Sequence, residues 1–362
     1  MVNVILPGTY ITVRDEGLIS VGGISTGNIG IVGSALEGEI NKVVTLSSLT
    51  DAKDIFGPQE KKSYPNADTV TLLKALELLF GNGASTVYAV RAEDDTADKY
   101  GAALALLENE IVNIVLLAGQ DASKTDMVTK LAGHLATTET IQRERIAIIG
   151  SNGATDVDQI VAAKVVNDSG RVVYVAPGVS IKKRDPATGQ ETTTTLSGAY
   201  TAAAVAGLIS SIPVQTSPTN KTINVSSLAT RFNHGQLEKL VQTNILAVEQ
   251  REGYRVVRGV TTSTNVAWQQ ITTRRIVDYA IYGVRAACNP YIGKLNNERV
   301  RGAMKATLDG FLTRMVENEA LTGYQLNVSA TRAQEIAGQA IVAMTIQPTF
   351  SIDYVMVTMT LG

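Results

Sequence analysis

Two short runs of consecutive aliphatic residues most constrain how this chain can fold. Ile114-Val115-Leu116-Leu117 and Ile146-Ala147-Ile148-Ile149 contain no polar position. As strands they must be buried on both faces, which is typical of a parallel sheet that is covered by helices. Strand and helix patterns alternate around them from Ile29 to Ala176, and such alternation favours βαβ units. The sequence therefore predicts an α/β main region with a mostly parallel sheet.

The predicted elements of this region follow from apolar periodicity and from the turn residues between them. The strands are Ile29–Gly33, Val43–Leu46, Thr86–Arg91, Ile111–Ala118, Ile146–Gly150 and Arg171–Ala176. The helices are Thr50–Phe56, Asp68–Phe80, Asp94–Glu108, Lys124–Thr137 and Asp156–Asn167. Further along, Asp185-Pro186-Ala187-Thr188-Gly189 between β-prone flanks predicts an exposed hairpin tip.

The last quarter of the chain has a different pattern. A long helix is predicted from Asn296 to Ala320, and Leu321 to Tyr324 close it. Two strand-like runs follow, Ala340–Ile346 and Ser351–Leu361, and the Gln347-Pro348-Thr349 turn separates them. This order predicts a smaller α+β C-terminal domain, and no residue set within it suggests catalysis.

Composition excludes several classes of protein. Hydrophobic residues make up 44% and charged residues 18% of the chain, which is typical of a folded protein. Because the formal net charge is only -2, nothing favours binding to nucleic acid or to an anionic membrane. No apolar run approaches the ~20 residues that a membrane-spanning helix needs. The start does not resemble a signal peptide, and the single cysteine, Cys288, fits synthesis in a reducing cytoplasm.

Motifs for ligand binding are incomplete. The segment Gly119–Thr125 resembles a phosphate loop but lacks the glycine before the Lys-Thr pair, and Gly27–Gly33 has the wrong spacing for a dinucleotide loop. His134 and His234 lie far apart without acidic or cysteine partners at ligand spacing, and His134 is interpreted as a boundary residue of its helix. We therefore expect no catalytic residue, no cofactor and no metal. An α/β enzyme or small-ligand-binding protein with an unrecognised site stays open as the alternative.

Several short motifs follow one another along the whole chain, and their order is more specific than any one of them. They are Pro7-Gly8-Thr9-Tyr10-Ile11, Gly22 to Thr26, Ile29 to Gly33, Ala202 to Gly207, Gly253 to Gly259, Arg274-Arg275, Asn289-Pro290 and Glu319 to Tyr324. This order resembles the contractile tail sheath family, whose members sheathe the tails of contractile phages and related injection particles.

The resemblance implies a domain plan. Residues 1–27 would form an N-terminal linking arm, and residues 28–265 the α/β region, with a possible small outer subdomain around residues 91–177. Residues 266–347 would form the C-terminal sheath domain, and residues 348–362 a C-terminal linking arm. The arm residues expected to pair with neighbouring subunits are Tyr10, Ile11, Thr12, Val13, Tyr354, Val355, Met356 and Val357.

The family's C-terminal domain faces a tail tube, so the resemblance makes Arg299, Arg301 and Lys305 candidates for contact with that tube. Arg274 and Arg275 either lie at a solvated edge or pair with acidic residues of a neighbouring subunit. The implied function is a helical homopolymer around a tail tube, which contracts to drive the tube through a target cell envelope. The implied partners are copies of this chain, the tail tube protein, and the baseplate and tail-end proteins. The implied location is a virion tail or an extracellular particle. A different homopolymer, such as a shell component, is a third alternative.

Overall fold

The computed structural model describes residues 25–57, 71–164, 166, 168–184 and 191–361. Contacts within the chain divide these residues into two units. The main unit contains residues 25–279 and 348–361, and the second unit contains residues 280–347. The predicted arm residues Tyr10, Ile11, Thr12 and Val13 lie outside the described residues.

The main unit is built on one sheet of nine strands. In chain order they are β1 (Ile29–Gly33), β2 (Val43–Leu46), β3 (Val87–Arg91), β4 (Ile114–Leu117), β5 (Ile146–Gly150), β6 (Val172–Ala176), β9 (Thr222–Ile223), β10 (Leu246–Gln250) and β11 (Tyr254–Val256). The two strands between β6 and β9 in the chain, β7 (Val179–Arg184) and β8 (Glu191–Leu196), form a separate hairpin. Their spatial order is β2-β3-β1-β4-β5-β6-β10-β11-β9. The six strands from β3 to β10 are parallel, and β2, β11 and β9 add antiparallel edges. The α/β prediction is confirmed.

Helices of the main unit cover this sheet on both faces. They are α1 (Leu49–Phe56), α2 (Leu72–Gly81), α3 (Ala97–Leu106), α4 (Thr125–Thr140), α5 (Val157–Ala162), α6 (Gly198–Ser211), α7 (His234–Gln242) and α8 (Val266–Gln269). Two apolar clusters of buried residues result, because alternate positions of strands such as β1, with Ile31 in one cluster and Val32 in the other, point to opposite faces. The alanine-rich α6 is buried along most of its length, since small side chains let it pack closely on α2 and the central strands.

Residues 91–177 do not form a separate outer subdomain in the described structure. They supply β4, β5 and β6, which lie in the middle of the nine-stranded sheet between β1 and β10. The reason is visible in the strands themselves, because β4 and β5 are buried at every position. Strands that are buried on both faces are typical of the interior of a parallel sheet covered by helices, and these strands lie inside the main sheet.

A two-stranded hairpin stands apart from the main sheet. Its strands β7 (Val179–Arg184) and β8 (Glu191–Leu196) are antiparallel, with Val179 opposite Leu196 and Arg184 opposite Glu191. The hairpin prediction is confirmed for both strands, and its predicted tip lies outside the described residues.

The second unit contains the C-terminal half of α9 (Ile271–Cys288), then α10 (Glu298–Glu317), β12 (Leu321–Ser329), α11 (Arg332–Ile336) and β13 (Ile341–Pro348). Strands β12 and β13 form a two-stranded sheet. Inside this unit Phe311 of α10 lies directly against Gly283 of α9, where any side chain would collide with the aromatic ring.

One sequence prediction in this region is wrong. Leu321 to Tyr324 begin strand β12 and do not close the preceding helix, because Glu319 already ends it with a left-handed backbone (φ 60°). The strand-like segment Ser351–Leu361 pairs with no strand among the described residues, and its pairing with a neighbouring subunit stays a prediction.

Candidate assembly surfaces

Several described residues pack closely at the position where parallel α/β sheets usually bind ligands. Ligands of such folds bind at the carboxyl ends of the strands, where the strand order reverses, and here that point lies between β1 and β4. Thr71 and Tyr200 pack against Gly119 there. Next to it, the N-terminus of α6 packs on Gly150, and Gly198 donates its backbone N–H to the carbonyl of Ser151. At this edge of the sheet the described residues therefore pack closely around Gly119 and Gly150.

The segment that resembles a phosphate loop does precede a helix, since Gly119–Lys124 connects β4 to α4. Its Asp121 carboxylate accepts hydrogen bonds from the backbone and side chain of Ser123. The cavity beside it measures only about 10 Å³, which has room for at most one water molecule. The described residues hold no cluster of three metal-ligating side chains and no helix long and apolar enough to cross a membrane.

The two histidines are separate in space as well as in sequence. His234 is exposed at the start of α7. His134 is buried within α4, so its interpretation as a boundary residue is wrong, and its Nε2 atom lies 3.2 Å from the Arg145 guanidinium. Burial, and then the positive charge of Arg145, lower the pKa of His134 to about 4. His134 is therefore a neutral core residue at physiological pH.

Arg274 and Arg275 of α9 do not lie at a solvated edge, because both are buried. Arg274 donates to the Asp278 carboxylate at 2.6 Å, and Arg171 donates to the same carboxylate at 3.0 Å. Burial raises the pKa of Asp278, and the two arginine charges act in the opposite direction. Trp268 stacks on the Arg274 guanidinium at 4.4 Å.

Arg275 is surrounded by backbone carbonyls. It donates to the carbonyl oxygens of Ile212, Pro213 and Thr26 at 3.0 to 3.3 Å, and burial lowers its pKa to about 10. Both arginines thus have partners within the chain. Their pairing with a neighbouring subunit stays a prediction that nothing in a single chain tests.

The three cations predicted to contact a tube have different environments on α10. Arg299 and Lys305 are exposed. Arg301 is buried and donates to Glu335 at 3.0 Å and to Asn296 at 2.8 Å. On an adjacent part of the helix, Gly302 and Gly310 face open space. The geometry therefore leaves two of the three candidates able to reach another molecule.

The C-terminal segment is the most exposed apolar surface that the described residues present. The predicted arm residues Tyr354, Val355, Met356 and Val357 are all exposed, and Met356 reaches 94% and Leu361 92%. Ile352 and Met359 are exposed as well. Contiguous exposed apolar side chains of this kind mark interaction sites in proteins.

A set of anchoring residues was not anticipated from the sequence. The Asp353 carboxylate accepts a hydrogen bond from Arg258 at 2.8 Å, and its side chain is only 6% exposed. Gln270 and Thr219 also donate to it, at 3.3 and 3.4 Å. A signal existed, because Asp353 is the one charged residue between Glu335 and the end of the sequence.

The β12–β13 sheet is the second candidate surface. Its two strands bear few fully buried residues, and Ile341 and Met344 of β13 are exposed hydrophobic residues. A two-stranded sheet is marginally stable in water, whereas three or more strands with an apolar face are stable. Sheets of this kind accept a further strand at an edge.

Comparison with protein families finds two domains in sequence order. The phage tail sheath protein central domain matches residues 94–262, and the phage tail sheath C-terminal domain matches residues 263–362. Together they cover most of the chain. No curated protein matches the sequence.

Comparison with solved structures finds the same fold in sheath proteins. The helical sheath of the anti-feeding prophage in its contracted state is 19% identical, with a TM-score of 0.74, over 98% of this chain and 99% of that one. The PVC sheath of an extracellular contractile injection system in its contracted state is 16% identical, with a TM-score of 0.72, over 98% and 97%. The sheath tail protein of Listeria innocua is 13% identical, with a TM-score of 0.67, over 90% and 92%.

Proposed function

This chain belongs to the phage tail sheath family, and on that premise we propose that its C-terminal arm, residues 348–362, links neighbouring copies into a helical sheath that contracts. The match of both sheath domains, in order, supports the sheath function. In two structural relatives, the anti-feeding prophage sheath and the PVC sheath, the sheath was observed in its contracted state. For this chain we infer that assembly precedes contraction and that the subunits stay joined during it.

The exposed arm supports the linkage. Its residues 354–361 are apolar or hydroxylated and exposed, and they pair with no strand among the described residues of the chain. Addition of this segment to the β12–β13 sheet of a second copy would satisfy its backbone groups and widen a marginal sheet. The N-terminal arm, with Tyr10 to Val13, is proposed to act in the same way on the resemblance alone.

The proposed partners besides other copies are a tail tube protein and the baseplate and tail-end proteins. We assign the tube contact to Arg299 and Lys305, since both are exposed on one helix. Arg301 is left out because its charge is already paired with Glu335 inside the subunit. Charges of this kind set the orientation and rate of association more than its affinity.

The sheath function needs no nucleotide site in the subunit. The energy for contraction would come from a metastable extended assembly, in which each subunit moves to a more favourable arrangement. The close packing around Gly119 and Gly150 at the carboxyl ends of the strands supports this proposal. We accordingly propose that the chain hydrolyses no nucleotide, and retention of stoichiometric ATP or GTP through purification would favour the enzyme alternative.

Truncation tests the proposed function. One variant stops after Gln347, and a second lacks residues 1–17. We expect both proteins to be folded and monomeric, while the full chain forms hollow helical tubes in electron micrographs. Mixing the two variants should not restore a continuous lattice, because one variant lacks the C-terminal arm and the other lacks residues 1–17 of the N-terminal arm. Normal tubes from either truncated protein would show that its arm does not link subunits.

A further inference from the structure

The C-terminal arm is held to its own subunit at one place. Ser351 and Asp353 contact Arg258, Gln270 and Thr219 of the main unit, and we call this set of contacts the Asp353 anchor. All of these residues belong to the main unit. The anchor lies a few residues beyond the Gln347-Pro348-Thr349 turn, after which the predicted C-terminal arm begins.

The charge pair of the anchor is shielded from water. The Asp353 carboxylate and the Arg258 guanidinium meet at 2.8 Å, and their side chains are only 6% and 18% exposed. Thr219 and Ser351 direct their hydroxyl groups to the other carboxylate oxygen, at 3.4 and 3.3 Å. An ion pair that is withdrawn from solvent and shares further hydrogen bonds holds its geometry better than an exposed one.

Gln270 adds a contact with the backbone. Its side-chain amide donates to the Ser351 carbonyl at 3.2 Å and accepts from the Ser351 N–H at 3.0 Å. The same amide donates to Asp353 at 3.3 Å. Gln270 therefore pairs with residue 351 in both directions, as a neighbouring strand would, and fixes the orientation of the chain entering the arm.

The environment changes abruptly after the anchor. The side chain of Tyr354 keeps one contact with the main unit, its ring lying 5.5 Å from the Arg258 guanidinium. From Val355 onwards the described side chains are exposed. Asp353 and Tyr354 are thus the last residues of the arm that contact Arg258 of the same subunit.

We propose that the Asp353 anchor fixes the exit point of the arm on its own main unit, and that this exit point directs residues 354–361 onto a second copy. The proposal rests on the proposed function. Extended chain rises about 3.3 Å per residue, so these residues reach about 26 Å, against about 45–50 Å for an arm that is free from Pro348. Because the anchor fixes residues 351–353, the arm also has fewer conformations to lose when it binds. The anchor therefore favours linkage to a close neighbour.

Hydrogen exchange of the full-length protein, kept below its assembly concentration, tests the anchor itself. The variants are Arg258→Met, Gln270→Leu and Asp353→Ala, and the matched control is Arg251→Met, which removes an exposed arginine from the same region. We expect exchange of the Ser351 amide to become at least tenfold faster in the three variants, with unchanged protection of the main sheet. The control should exchange as the wild type does. Unchanged exchange at Ser351 in all three variants would overturn the anchor.

Assembly of the same proteins tests its consequence. We expect the concentration needed for tube formation to rise about tenfold in Arg258→Met and Asp353→Ala, although residues 354–362 are intact. Exchanging the charges, as Arg258→Asp with Asp353→Arg, should recover part of this loss. Faster exchange at Ser351 with an unchanged assembly concentration would show that the anchor does not direct the arm.

A chain that ends at Asp353 separates the two proposals. It keeps the anchor and lacks residues 354–362, so it should show wild-type exchange at Ser351 and form no tubes. If this chain forms normal tubes, arm linkage fails whatever the anchor variants do. If it forms none and the anchor variants assemble normally, only the anchor proposal fails.

Discussion

Replacing Val357 by aspartate should block assembly without disturbing the folded subunit. In the proposed linkage, residues 354–361 form a strand on a second copy, and alternate side chains of a strand face the same side. Val355, Val357, Met359 and Leu361 would then form the apolar face, whereas Thr358 lies on the other face. Thr358→Asp is therefore a matched control that places the same charge one residue away.

The size of the effect follows from burial. Val357 is 77% exposed in the free subunit, so a substitution there should change the free energy of unfolding by no more than about 0.5 kcal/mol. In the assembled strand the substitution loses about 1.5 kcal/mol of apolar burial and adds at least about 1.5 kcal/mol for a carboxylate on an apolar face. Because about 1.4 kcal/mol corresponds to a tenfold change, the concentration required for assembly should rise roughly 100-fold or more.

Sedimentation of tubes over a concentration series measures this threshold, and thermal unfolding checks the subunit. We expect the melting temperatures of wild type, Val357→Asp and Thr358→Asp to agree, while Val357→Asp alone raises the threshold strongly. If both aspartate variants raise the assembly concentration equally, alternate side chains of residues 354–361 do not face opposite sides in the assembly. If both assemble at the wild-type concentration, the arm is not buried on a second copy.

Three further predictions concern stability and the tube. Gly283→Ala should destabilise the protein by about 1–3 kcal/mol, because the added methyl group overpacks against Phe311. Gly302→Ala on an open helix face should stabilise it by about 0.5–1 kcal/mol. If urea unfolding gives changes of the same sign for both variants, the contact of Phe311 with Gly283 is contradicted. The unfolded state binds more protons than the folded state between about pH 4 and pH 6.5 at His134, so stability falls as pH is lowered through this window. Between pH 7 and pH 5, urea unfolding of His134→Gln should lose about 2 kcal/mol less than the wild type, and equal losses would exclude a neutral buried imidazole. Arg299→Glu with Lys305→Glu should reduce co-sedimentation with the tail tube roughly tenfold at moderate salt without lowering the melting temperature, and unchanged co-sedimentation would remove both residues from the tube contact.

The parallel sheet could be predicted because its signals are local. Aliphatic runs such as those of β4 and β5 are stable as strands only when both of their faces are buried. The observed bounds of β1, β2 and β5 agree with the prediction. The single nine-stranded sheet was not predictable in the same way. Pairing of β6 with β10 joins segments that are about 70 residues apart, and no pattern within either strand specifies that partner.

The second unit and the anchor show where local signals were insufficient. Strand β12 begins immediately after a helix that ends without glycine, since Glu319 adopts the left-handed backbone, and the sequence pattern there resembles a helix terminus. Apart from Ser351, the partners of Asp353 come from residues more than 80 positions earlier. A lone acid in a neutral apolar segment could have indicated an anchor, but its cation could be identified only in three dimensions.

A cryo-electron microscopy reconstruction of tubes assembled from the full-length chain tests the central claim most directly. Our account predicts that backbone density for residues 354–361 of each subunit lies as an added strand on the β12–β13 sheet of another copy. It also predicts that residues 351–353 remain on their own main unit beside Arg258. Density that returns residues 354–361 to their own subunit, or tubes in which these residues contact no other copy, would contradict it.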